Sequence, residues 1–142
     1  MNNNNFKPID GAAGYRLSNV PVLSTVSLKS SLDIFEKTSM EYLAKKSTML
    51  TGYLEFLIKY MIPKDRVTII SPIDANQRGC QLSLLFKIPG EMNLAFDFIS
   101  AKGVICDKRK PDVIRVAPVP LYNTFEDVYN FVHFLNEFFA SS

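Results

Sequence analysis

The sequence has no tryptophan, two cysteines and a single histidine in 142 residues. Cys80 and Cys106 stand far apart without CxxC spacing, and His133 is near neither. That pattern argues against a zinc site and leaves two buried, reduced thiols of a cytosolic protein as the expectation. Glycine is scarce at six residues, and none of these build a phosphate-cradling loop. Ser24, Ser27, Ser30 and Ser31 lack the Gly-x-Ser-x-Gly setting of an activated nucleophile. The formal charge is only +2 with scattered lysines, which argues against nucleic acid or an acidic membrane as partner. No apolar run approaches a membrane span, and the Met1 to Asn5 stretch leads into no signal-peptide core. A soluble, cytoplasmic protein is expected.

What is present is apolar bulk. Hydrophobic residues make up 47%, with eleven Phe and six Tyr, enough for one domain with a real core. Residues 1–14, rich in Asn, Gly and Ala, read as a flexible arm, and 15–142 as the domain. Tyr15 to Asn19 reads as extended, with Ser18 and Asn19 as capping residues ahead of Pro21 in a first helical turn. Leu28, Leu32 and Phe35 share a helical face, and Thr38-Ser39 marks a break. Leu43, Ser47, Leu50, Leu54, Leu57 and Met61 then repeat at alternating spacings of four and three, the stripe of a long amphipathic helix ended by Pro63.

Val67 to Ser71 is β-branched and reads as a strand. Cys80 to Ile88 alternates, with Cys80, Leu82, Leu84, Phe86 and Ile88 on one face. Met92 to Lys102 suits a helix with Gly103 beyond its end. Val104-Ile105-Cys106 reads as a strand, Asp107 to Pro111 as a charged, solvated loop, and Val113 to Val116 as the last strand. Thr124 caps a final helix whose stripe is Val128, Phe131, Val132, Leu135 and Phe139, with His133 among the aromatics as a packing or surface residue. The order predicts an α+β fold: a long N-terminal helix and a small, mostly antiparallel sheet with helices packed on one face. The long helix exceeds what so small a sheet can cover, so a partner outside the chain is expected.

One charge interrupts the last strand. Arg115 lies between Ile114 and Val116 and points away from the face those two share. A half-buried guanidinium needs an anion, and its fork suits carboxylate or phosphate. Pro118 and Pro120 hold the following loop extended. Local physics leaves two roles open for Arg115, a ligand clamp or a partner for an internal carboxylate. Asn19 is likewise either a helix cap or an amide at a phosphate.

Several blocks resemble the kynureninase family: Gly14-Tyr15-Arg16-Leu17-Ser18-Asn19-Val20-Pro21, Leu50-Thr51-Gly52-Tyr53-Leu54-Glu55, Arg78-Gly79-Cys80-Gln81-Leu82-Ser83 and Ile114-Arg115-Val116-Ala117-Pro118-Val119-Pro120-Leu121-Tyr122-Asn123. Ser31 to Phe35 and Gly103 to Asp107 fit as well. The likeness runs from about Phe6 to near the end, in order, and covers the C-terminal third of the family's proteins. It implies the C-terminal small domain of a pyridoxal-phosphate enzyme of the aspartate-aminotransferase fold class. Such enzymes hydrolyse kynurenine or 3-hydroxykynurenine to anthranilate or 3-hydroxyanthranilate plus alanine, in tryptophan catabolism and NAD biosynthesis.

By that resemblance Arg115 grips the substrate α-carboxylate. Asn19 lies at the substrate and cofactor pocket, reaching the pyridoxal 5'-phosphate phosphate of the neighbouring subunit in a homodimer. Val20 stands where the family usually has proline, which leaves Asn19 in place. The family's cofactor lysine, the aspartate facing the pyridine nitrogen and the ring-stacking aromatic belong to a large domain absent from this chain. No catalytic residue is therefore expected here, and the isolated chain is expected to be inactive. The alternative is a non-catalytic interaction module that keeps the fold and pairs with a full-length homologue.

Overall fold

A computed structural model describes Lys7 and residues 9–141. The chain divides into two compact units, Met1–Ser39 and Met40–Ser142. Half of the expected flexible arm, residues 1–6 and 8, lies outside the described residues.

In the first unit a short 3-10 turn, Gly11–Tyr15, precedes helix α1, Val22–Phe35. Helix α1 buries none of its residues, although Leu23, Val26, Leu28, Leu32 and Ile34 are all large and apolar. Asn19 does not cap it. Pro21 takes the N-cap position in an extended conformation, and its carbonyl accepts the first helical bond, from Thr25 N–H at 3.0 Å. A proline there disfavours helical backbone in the residue before it, so the helix begins later than Asn19 would set it.

The second unit begins after the break expected at Thr38-Ser39. Helix α2, Met40–Met61, buries Leu43, Leu50, Leu54 and Leu57 from the predicted stripe, and adds Thr51 and Ile58. Ser47 and Met61 are half-buried at its margin. Lys59 pairs with Glu55 one turn back, as that spacing favours. Strands β1 (Val67–Ile69), β2 (Leu82–Phe86), β3 (Asp107–Arg109) and β4 (Val113–Val116) form a fully antiparallel sheet in the order β1-β2-β4-β3. Helix α3 (Glu91–Ala101) links β2 to β3, and α4 (Phe125–Ser141) closes the chain.

Helix α3 ends as Gly103 predicts. Gly103 has φ +87°, its N–H donates to Ser100 O at 3.0 Å, and Val104 N–H donates to Ile99 O at 3.1 Å. This pair of bonds satisfies carbonyls the last turn leaves open, in a conformation glycine adopts without steric cost. Helix α4 starts on a reciprocal cap. Asp127 N–H donates to Thr124 Oγ1 at 3.1 Å and Thr124 N–H to Asp127 Oδ2 at 2.8 Å. That backbone donor, with help from Asn123, holds the Asp127 carboxyl below its ordinary value.

One core holds the second unit together. Leu82, Leu84, Phe86, Ile114 and Val116 point from the sheet onto Leu50, Leu54, Met92, Ile99, Val132 and Leu135 of the helices. Phe138 is buried and Phe139 half-buried, the reverse of the order the predicted stripe implied. Cys80 and Cys106 are free and half-buried. His133 is exposed and stacks on Tyr129 at 5.9 Å.

The edge strand differs from expectation. Val104, Ile105 and Cys106 are irregular, while the charged run expected as a loop supplies β3. Apolar content alone misplaces it. Val104 and Cys106 pack on the core from non-strand backbone and Ile105 is fully exposed. Asp107–Arg109 pairs with β4, and charged side chains suit an exposed edge. The strand predicted over 67–71 starts at Val67 as expected but stops at Ile69, the one over 80–88 is shorter at both ends, and Ile88 lies outside the core.

Candidate anion site on the open sheet face

With the helices on one face of the sheet, alternation puts every second residue on the other. Arg115 is opposite Asp107 on one side and Ser83 on the other, and the next pairing along is Arg109–Val113–Leu85. The open face around Arg115 therefore carries Asp107, Arg109 and Ser83, flanked by half-buried Val113 and Leu85.

The guanidinium is directional. Arg115 Nε donates to Asp107 Oδ2 at 3.0 Å, and Arg115 Nη2 donates to the same oxygen. Arg109 Nη2 approaches that oxygen at 2.9 Å. Arg115 holds the Asp107 carboxyl below its ordinary value, with Arg109 adding to the effect. Two guanidinium groups around one carboxylate leave the cluster with one net positive charge. The pair is solvated, with side-chain exposures of 33% for Arg115 and 49% for Asp107. Ion pairs so exposed contribute little to stability. Among the described residues nothing engages Arg115 Nη1, so the end-on edge of the fork is free.

The mount behind the arginine is stiff for a reason the prolines alone do not supply. Asn123 Oδ1 accepts Val119 N–H at 2.8 Å, and Asn123 N–H donates to Val119 O at 2.9 Å. The amide thus closes the Pro118–Pro120 loop onto itself, and Pro118 is buried beneath it. Neither Asn123 nor Asp107 was singled out by composition or periodicity. Asp107 becomes visible only with the β3–β4 register, and Asn123 only as the loop's closing amide.

A cavity of about 540 Å³ lies beside this loop, lined by Gly103, Cys106, Ala117, Asn123, Asn130 and Phe134 among others. Arg115 is not in its lining, because Val116 and Pro118 turn to the helix side of β4. Burial first, and Asp107 second, push the Cys106 thiol up to about 11, so it is not a nucleophile at neutral pH. The free edge of the Arg115 guanidinium lies on the open face and not in this cavity.

Asn19 lies in the first unit, exposed, with no side-chain hydrogen bond to the described residues. Its amide donors are available to a ligand, and a cap is ruled out by Pro21.

A family model for the kynureninase C-terminal domain matches residues 43–135. The chain belongs to the kynureninase C-terminal domain family. Kynureninase from Mus musculus is 47% identical over 146 aligned positions, covering 98% of this chain and 31% of that protein. The Homo sapiens protein is 46% identical with the same coverage, and that from Coccidioides immitis is 53% identical over 134 positions. The chain spans about a third of the length of these curated relatives. A solved NifS-like protein shares the fold, with a TM-score of 0.71 at 21% identity over 96% of this chain and 40% of that one. The α+β fold expected from the kynureninase resemblance is the one observed. Among the described residues, no helix is long and apolar enough to cross a membrane.

Proposed function

We propose that this chain is the C-terminal part of a kynureninase and that Arg115 binds the substrate α-carboxylate. The observation that carries this reading is the free end-on edge of the Arg115 fork, on an open sheet face with one net positive charge. An α-carboxylate has two oxygens at the spacing of that edge, and accepts two charge-assisted bonds from it. Kynurenine or 3-hydroxykynurenine would be fixed at one end, with its ketone directed to the reacting groups of a large domain. Binding at a remote carboxylate orients the bond to be cleaved, which is where positioning acts on rate.

Pyridoxal 5'-phosphate would supply the electron sink for cleavage between Cβ and Cγ of the substrate. The residues here fit one contact to it. The free, exposed amide of Asn19 can donate to a phosphate oxygen, across a homodimer interface in the family's arrangement. No lysine of this chain takes the cofactor in this reading, so residues 15–142 form the small domain of a larger protein and are inactive alone. The products are anthranilate or 3-hydroxyanthranilate and alanine, in cytoplasmic tryptophan catabolism. Mixing the chain with the N-terminal portion of a kynureninase and following kynurenine hydrolysis tests this. Activity should appear only in the mixture and fall in Arg115→Ala.

A further inference from the structure

We propose that Asp107 is a positioning residue that holds the side-on edge of Arg115 and so aims its end-on edge at an incoming carboxylate. The inference rests on the reading of Arg115 as a carboxylate clamp and goes one residue deeper.

Three observations carry it. First, Asp107 takes Nε and Nη2 of Arg115 on one oxygen, so it occupies the side-on edge and leaves Nη1 open. A carboxylate blocking the site would sit across the end-on edge, where two oxygens meet two nitrogens. Second, the bond joins residues directly opposite in the β3–β4 ladder, so backbone register fixes the direction of the guanidinium. A free arginine carries large rotamer entropy that binding would have to remove. Third, a carboxylate that merely neutralised Arg115 would weaken anion binding, but Arg109 also bonds Asp107 Oδ2 and restores the positive balance. The family resemblance assigns no part to Asp107 or Arg109.

Positioning and blocking predict opposite signs. The test is a titration of the isotopically labelled 142-residue chain with sodium acetate, against sodium chloride at equal ionic strength, reading the Arg115 side-chain nitrogens by NMR. In the natural sequence the Nη resonances should move with acetate and not with chloride, while Nε–H stays where the bond to Asp107 puts it. Asp107→Ala should weaken acetate binding by roughly fivefold, despite removing a negative charge, because the ordering of the side chain is lost. Asp107→Asn keeps an acceptor oxygen and should stay within about twofold of the natural chain.

Acetate binding that is unchanged or tighter in Asp107→Ala overturns the proposal. So does an Nε–H that shifts with acetate in the natural chain, a readout available even if Asp107→Ala does not fold. Arg115→Ala separates this from the parent reading. If Arg115→Ala binds acetate like the natural chain, or if the natural chain shows no Nη response, the clamp itself fails and Asp107 with it. If Arg115→Ala loses binding but Asp107→Ala retains it, only the role of Asp107 fails.

Discussion

Arg78 reaches back to α2 and bonds Glu55, while its other terminal nitrogen donates to Pro72 O at 3.0 Å. Both side chains of this pair are nearly buried, at 7% and 13% exposure, unlike the solvated pair at Arg115. The bond ties the irregular stretch between β1 and β2 to the longest helix. Removing one partner leaves the other charge in a dry site, so Arg78→Ala should lower unfolding free energy by about 2 kcal/mol, read by urea titration.

The same pair sets an acid limit. Burial raises the Glu55 carboxyl, but bonds from Lys59 and Arg78 outweigh that and leave it below its ordinary value of 4.5. A depressed folded value means the contribution is complete above the unfolded value and disappears as pH falls through the folded one. Stability measured from pH 6 downward should therefore drop below about pH 4.5, and Glu55→Gln should flatten that part of the curve. An equally steep drop in Glu55→Gln would assign the limit to other carboxyls.

The final helix depends on its first turn and its stripe in different amounts. Thr124→Ala should cost about 1 kcal/mol through the lost cap. Leu135→Ala, at a fully buried position, should cost about 3 kcal/mol through lost burial and the cavity left behind. Chemical denaturation of the two variants gives the ratio.

The helices of the second unit were readable because their information is local. Leu43 to Leu57 and Val128 to Leu135 repeat at helical spacing, and burial follows from that periodicity alone. The caps Thr124 and Gly103 were equally local. What failed was non-local. Asp107 to Arg109 has no apolar alternation, and becomes a strand because β4 offers it a ladder. Asn19 has the chemistry of a cap, yet the position went to Pro21, whose ring dictates the backbone ahead of it.

The site divides along the same line. That Arg115 faces away from Ile114 and Val116 follows from strand alternation, and the open face confirms it. The two roles left open for it are not exclusive in the structure, because one edge of the guanidinium holds an internal carboxylate while the other stays free. No periodicity could disclose that. The partner is eight residues earlier, and only the register of a two-strand ladder brings it opposite.

The proposed role of Arg115 is to bind the α-carboxylate of kynurenine within an enzyme completed by a large domain. Its most direct test is kynurenine hydrolysis by this chain assembled with the N-terminal portion of a kynureninase, comparing the natural sequence with Arg115→Ala. Loss of a bidentate charge-assisted contact predicts a fall in kcat/KM of about a hundredfold or more, with the assembly intact. An assembled Arg115→Ala variant that hydrolyses kynurenine at the natural rate would contradict the account.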